Sequence, residues 1–203
     1  MSTKLLMATY ADITAEAEDA FREWRVDVQL PSLRAAPGVS SASWLESKDG
    51  QPRFLLLCQL EDESVAQSTP VRDALDWGLW TRALRGWHRR TYRPIFAMGS
   101  ADVEGAYVLT VRADVEPEAE VAFNEWYNTT HLPEVLECPG FVAAARYECI
   151  EGEPQFLSVY QLDRPDALET PEMDKVYGFG PLTPHIRGEH GRIYGRRTGE
   201  VEV

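Results

Sequence analysis

Ala20-Phe-Arg-Glu-Trp24 returns as Ala122-Phe-Asn-Glu-Trp126, one substitution and 102 residues further on. The same offset, with no gap, carries Ala11-Asp12 onto Ala113-Asp114, Leu30-Pro31 onto Leu132-Pro133, and Pro37-Gly38 onto Pro139-Gly140. Gln59-Leu60 falls on Gln161-Leu162, and Arg85-Gly86-x-His88-x-Arg90-x-Tyr92 falls on Arg187-Gly188-x-His190-x-Arg192-x-Tyr194. Self-similarity at one fixed period is the mark of a duplicated unit. The chain therefore reads as a tandem duplication joined near Met98 to Glu104, with one repeat over residues 1–100 and a second over residues 101–203.

Each half predicts the same order of elements. Leu5 to Tyr10 and Tyr107 to Arg112 are rich in aliphatic, aromatic and β-branched residues and read as first strands. A helix follows; in the second half Pro117 suits its first turn, and Glu116, Glu118 and Glu120 suit its positive end. Ala119, Ala122, Phe123, Trp126 and Thr130 give it one buried stripe. Leu132-Pro133 is expected to end or kink this helix, because a residue before proline avoids helical torsions. Pro139-Gly140 turns into a strand from Phe141 to Cys149, and Glu151-Gly152-Glu153-Pro154 turns into another from Phe156 to Leu162. A shorter helical or irregular piece, Pro165 to Tyr177, precedes a last strand near Arg192 to Arg197.

This βαββαβ order is the α+β, ferredoxin-like arrangement. Phe54-Leu-Leu-Leu-Cys58 is apolar at consecutive positions, as in a sheet covered on both faces. Two such sheets in one chain can cover each other, so the expected architecture is an internal pseudo-dimer.

Composition narrows the function. The 203 residues are 44% hydrophobic and 26% charged, ordinary globular usage. Thirty-three acidic against 20 basic residues give a net charge of −13 and a pI near 4.7, which disfavours nucleic acid and anionic membrane as partners. Met1 to Tyr10 lacks the basic start and cleavage site of a signal peptide, and Cys58, Cys138 and Cys149 form no C-x-x-C pair. A cytoplasmic location with reduced thiols is expected. No phosphate-binding glycine loop, H-E-x-x-H helix or G-x-S-x-G elbow is present, and four histidines without ligand spacing make a weak metal site.

Phe123-Asn-Glu-Trp-Tyr-Asn-Thr-Thr-His-Leu-Pro-Glu134, with Pro139-Gly-Phe141 and Arg146-Tyr147 after it, resembles the EthD-like branch of the dimeric α/β-barrel superfamily. That branch carries a W-Y-x-x-x-H-[ILM]-P-[ED] helix end and a P-G-F strand entry. The resemblance implies two fused repeats forming one intrachain dimeric α/β-barrel. A small hydrophobic substrate and a homodimer of such pseudo-dimers are the partners expected. Relatives include cofactor-free acid–base enzymes, quinone-forming monooxygenases and haem proteins. In the acid–base members a small apolar pocket holds substrate near histidines and tyrosines.

One half serves as the control for the other. His131 stands where the first half has Gln29, Tyr127 where it has Arg25, and Asn128 where it has Val26. Tyr127 and His131 lie one helical turn apart, so phenol and imidazole share a side. An imidazole of ordinary pKa ~6.5 offers both protonation states near neutrality. The plainer reading is a helix-end histidine bonded to backbone. His185, opposite Ala83 in a Gly/Pro-rich loop, reads either as a second proton-transfer group or as an exposed loop residue. His190 and Arg187 have counterparts in His88 and Arg85, which favours structural roles over substrate contact. Tyr160 replaces Cys58, Tyr177 replaces Leu75, and Tyr147 is set against Trp44; each lines a pocket or fills core. Trp77, Trp80 and Trp87 are confined to the first half and either cover an interface or close that half's pocket.

The expected function is a cofactor-independent acid–base enzyme, of lyase type first, acting on a small hydrophobic aromatic or polyketide-like carbonyl compound. His131 would move the proton, with Tyr127 and His185 polarising the carbonyl. The alternatives are a cofactor-free monooxygenase, a haem-binding barrel and a non-enzymatic binding protein.

Overall fold

The structure, a computed structural model, describes residues 4–48, 50–100 and 105–196. These gather into two compact units, residues 4–93 with Arg196 and residues 94–195. The division falls at Pro94, ahead of the joint expected near Met98 to Glu104, of which residues 101–104 lie outside the described residues.

The first unit runs β1 (Leu5–Ile13), α1 (Glu18–Trp24), α2 (Leu30–Ala35), β2 (Val39–Glu46), β3 (Phe54–Leu60), α3 (Glu63–Gln67), α4 (Thr69–Ala74) and the start of β4 (Leu84–Met98). Antiparallel pairing of β1 with β3 and β4, and of β2 with β3, gives the order β4-β1-β3-β2. The second unit runs β5 (Tyr107–Val115), α5 (Glu120–Trp126), α6 (Leu132–Leu136), β6 (Phe141–Cys149), β7 (Phe156–Leu162), α7 (Met173–Val176) and β8 (Ile186–Arg196). Its pairings give β8-β5-β7-β6. Registers match at the repeat offset: Met7 opposite Cys58 becomes Leu109 opposite Tyr160. The retained Ala-Asp pair has a shared task, since Asp12 accepts the Arg53 N–H at 2.7 Å and Asp114 the Gln155 N–H at 2.6 Å. Among the described residues no helix is long and apolar enough to cross a membrane.

Both β3 and β7 are buried at every position, so neither shows the alternation of a half-wet strand. On the helix side of the second sheet, Phe123, Tyr127, Leu132, Val135, Phe156 and Phe179 belong to one apolar core.

The helix before β6 departs from expectation in two ways. Leu132-Pro133 neither ends nor kinks it: α5 passes through a π-helical turn, Tyr127–His131, directly into α6, and Leu132 keeps φ −64 and ψ −44. Pro133 sits in the first turn of α6, where a missing N–H breaks no α-type bond, and the wider turn before it absorbs the changed bonding. The buried stripe is also not the expected one. Ala122 and Thr130 face solvent and Trp126 is half-buried, whereas Ala119, Phe123, Tyr127, His131 and Val135 are buried at strict intervals of four. A regular helix drifts off one face at that interval, and a π turn, with more residues per turn, corrects the drift. The first unit has the same device, a π-helical Arg25–Gln29 with Phe21, Arg25, Gln29 and Leu33 buried.

The turn into β6 depends on Gly140, whose φ of +98 belongs to glycine and whose added Cβ would come 2.8 Å from the Ala167 Cβ. Gly140→Ala should lower stability by about 2 kcal/mol in urea unfolding, from backbone strain and contact together; an unchanged midpoint would show that the turn tolerates a side chain.

Candidate functional site

The π turn aims Tyr127 and His131 into a cavity of about 110 Å³ inside the second unit. Leu109, Val111, Val135, Phe141, Met173 and Phe179 supply apolar wall. Polar groups come from the buried Tyr127, His131 and Tyr160, while Tyr177, 67% exposed, and the exposed Glu189 mark the mouth. An apolar cavity of 150 Å³ accepts benzene, so the enclosed part here matches one ring or less, with further substituents toward the mouth.

Three polar groups meet at the inner end. The Tyr127 and Tyr160 hydroxyls are 2.7 Å apart, so one donates to the other and the acceptor keeps its own hydrogen for a further partner. The neighbouring Ser158 favours ionisation of both phenols, less than burial opposes it. Burial raises the Tyr127 phenol above its ordinary pKa, and burial with the neighbouring Tyr127 raises Tyr160 well above it; both are neutral donors at pH 7. The His131 ring stacks on Trp126 at 4.7 Å and meets Tyr127 edge-on at 4.7 Å. Among the described residues no protein group hydrogen-bonds its ring nitrogens, so the plainer reading of a backbone-anchored histidine does not apply. Burial, then the charge of Arg146, brings its pKa down to about 4. The expectation of two accessible protonation states near neutrality is therefore corrected: the imidazole is neutral at pH 7.

Arg146 on β6 supports this end from behind. Its guanidinium lies 4.2 Å from the Tyr127 ring centroid and 5.0 Å from that of Phe123, a buried cation–π arrangement of about 2 kcal/mol. Asn128 and Asn124 accept from it at 2.6 and 2.8 Å.

The first unit fills the equivalent space. Arg25 replaces Tyr127 and stacks its guanidinium 5.1 Å from the Trp77 ring centroid, where the second unit has Phe179. Gln29, in place of His131, hydrogen-bonds Arg25 and the Ala74 carbonyl. Arg89 occupies the position of Gly191 and donates to Thr9 and to the Leu75 carbonyl. Trp77 packs on Phe21, Arg25 and Trp87, Trp80 packs on Phe21 and Trp24, and the exposed Trp87 lies against Trp77 and Arg89.

The other residues singled out in the sequence have different places. His185 contacts Glu116 at 2.9 Å, and Arg187 pairs with the same carboxylate, so both clamp the start of the helix and neither lines the cavity. His190 sits on β8 opposite Arg112 and also lies off the lining. Asn128 reaches the site only through Arg146. At the strict offset Trp44 corresponds to Arg146, not to Tyr147, which corresponds to Leu45. Side chains alternate along a strand, so Tyr147 points away from the face on which Arg146 meets Tyr127. Arg146, Glu189 and Gly191 were missed in the sequence; the signal was their replacement by Trp44, Trp87 and Arg89.

No family model and no curated protein matches this chain. Solved structures do match over nearly its full length. A provisionally assigned monooxygenase from Fusobacterium nucleatum subsp. nucleatum ATCC 25586 is 10% identical, with TM-score 0.68 over 96% of this chain and 93% of its own. An anthrone oxidase-like protein is 14% identical, with TM-score 0.67 over 96% and 92%. A mutant chlorite dismutase from Candidatus Nitrospira defluvii is 9% identical, with TM-score 0.70 over 97% and 92%. These proteins belong to the dimeric α/β-barrel superfamily, and likeness at such low identity shows that fold. The residues present do not fit a haem: pockets for drug-sized ligands run about 300–1,000 Å³, a porphyrin is larger than most such ligands, and this cavity is about 110 Å³.

The low pKa of His131 predicts a pH dependence. Unfolded, the imidazole takes a proton near pH 6.5; folded, only near 4. Its contribution is whole above pH 6.5 and lost as pH falls through 4, by up to about 3 kcal/mol. Urea unfolding between pH 7 and 4 should show this slope, and His131→Gln should flatten it; equal slopes in both proteins would contradict the burial of a neutral ring.

Proposed function

We propose that the second unit is a small-molecule enzyme site that moves a proton on a single-ring aromatic compound carrying an enolisable carbonyl or a phenol. The observation carrying this reading is the neutral His131 imidazole, without a protein hydrogen bond among the described residues, beside the Tyr127–Tyr160 hydroxyl pair in one cavity. The substrate oxygen takes a hydrogen bond from the hydroxyl pair, and His131 removes the proton from the adjacent carbon or hydroxyl. At a pKa near 4 the base is always available at pH 7, though weak. The oxyanion formed in the same step pairs with the new imidazolium and offsets the burial cost that otherwise holds this ring neutral. A bond broken or shifted from the resulting enolate makes the reaction a lyase or isomerase step, the lyase being the first choice. In this reading the chain is two ferredoxin-like repeats, the first with its site closed by arginine.

The fold neighbours favour a second reading. The Fusobacterium protein is a provisionally assigned monooxygenase and a second neighbour is anthrone oxidase-like, and a deprotonated phenol is the species that reacts with dioxygen without a cofactor. Dioxygen uptake with a single-ring hydroquinone separates this from the lyase.

Deuterium exchange at the α-carbon of a single-ring aryl ketone in D₂O, followed by proton NMR, tests the shared step. His131→Gln should slow exchange about 100-fold or more. Gly191→Arg, which imports the first unit's plug, should abolish it by filling the cavity. Exchange undiminished in both variants would remove this cavity from the chemistry.

A further inference from the structure

We infer that the cavity holds its ligand as an oxyanion, a phenolate or enolate, whose charge is balanced by the buried guanidinium of Arg146 acting through the Tyr127 ring. This rests on the proton-transfer reading of the site and adds the ionic form and orientation of what binds there.

Arg146 is 1% exposed, and an arginine stays charged in proteins. A buried charge is normally matched by an opposite one. Here no carboxylate pairs with it among the described residues: its terminal nitrogens go to the side-chain oxygens of Asn128 and Asn124, and its Nε has no partner. Neutral amides fix the guanidinium in place without cancelling its charge. The uncancelled charge faces the Tyr127 ring at 4.2 Å, and the Tyr127 hydroxyl stands 2.7 Å from that of Tyr160 at the cavity's inner end. A cation against the ring makes the phenol a stronger donor and favours negative charge on whatever accepts from it.

Among the described residues, the other polar groups lining this end are neutral apart from Glu189, which raises the Tyr127 phenol where Arg146 lowers it. From the helix come Tyr127 and the neutral His131; from β7 come Tyr160 and Ser158, also neutral. From β8 comes Glu189, whose carboxylate sits at the exposed mouth. A negative group at the mouth and a positive one behind the inner wall orient an anion one way: oxygen inward, neutral substituents outward. The first unit, with Trp44 at the position of Arg146, lacks this arrangement.

4-Nitrophenol is a suitable probe, because only its phenolate absorbs in the visible. Bound to the native protein, it should ionise at least one pH unit below the free compound, so that one unit below the free value the phenolate fraction rises about fivefold. Arg146→Met should return the bound probe to the free value or above, and Arg146→Lys should recover part of the shift. His131→Gln should keep part of it, because that ring takes up the probe's proton in the native protein; loss of the whole shift there would assign the charge to imidazolium and overturn the proposal. If Arg146→Met does not fold, the native titration decides alone, since burial without a counter-charge would raise the bound probe's ionisation instead of lowering it. A bound probe that ionises at or above the free value overturns the role of Arg146 while leaving the cavity as a site. Failure of the native protein to bind the probe at all, measured by calorimetry, overturns the site reading and this inference together.

Discussion

The π-helical turn at Tyr127–His131 is the constraint on which the site depends. Facing a sheet, a helix must keep one line of side chains inward, and steps of four along a regular helix rotate that line away. One wide turn resets it. Phe123, Tyr127, His131 and Val135 then fall on a single inward line, with the phenol and the imidazole adjacent and both aimed at the same space. The proline that follows costs nothing there, because it occupies the first turn of α6. Both units use the turn, so it belongs to the shared scaffold, and the chemistry depends on what each sequence hangs from it.

On that scaffold the units diverge by size and charge. The first fills the space with Arg25, Arg89 and Trp77 and has a glutamine where the second has an imidazole. Burial of Arg25 brings its pKa down to about 9, yet it remains a cation at neutrality with two nitrogens unpartnered. The second unit moves its buried cation across to β6, behind Tyr127, and leaves Gly191 where Arg89 stands. Relocating one guanidinium from the cavity to the wall behind it turns a filled core into a hollow with a positive backing.

Much of this was legible in the sequence because backbone patterns repeat locally. β6 and β7 lie over the residues read as strands, and the Pro139-Gly140 turn lies where proline and glycine demanded one. His131 and Tyr127 stood out because the other half lacks them. What was not legible depends on geometry that no local pattern carries. The π turn inverted the expectation for Leu132-Pro133 and shifted the buried stripe off Ala122 and Thr130. His185 and Arg187 looked functional by type, but their partner, Glu116, is 69 and 71 residues away. Arg146 was visible in the motif, yet its importance comes from having no carboxylate partner among the described residues, which only packing reveals.

The chemistry requires that a ligand occupy the second unit's cavity and not the equivalent space of the first. A crystal structure of the protein soaked with phenol measures this directly. The account predicts one ring in the second unit against Phe141, Met173 and Phe179, its oxygen within hydrogen-bond distance of a Tyr127 or Tyr160 hydroxyl and of His131, and no ring in the first unit. A ring bound in the first unit, or a second-unit cavity closed by its own side chains with phenol elsewhere, would contradict it.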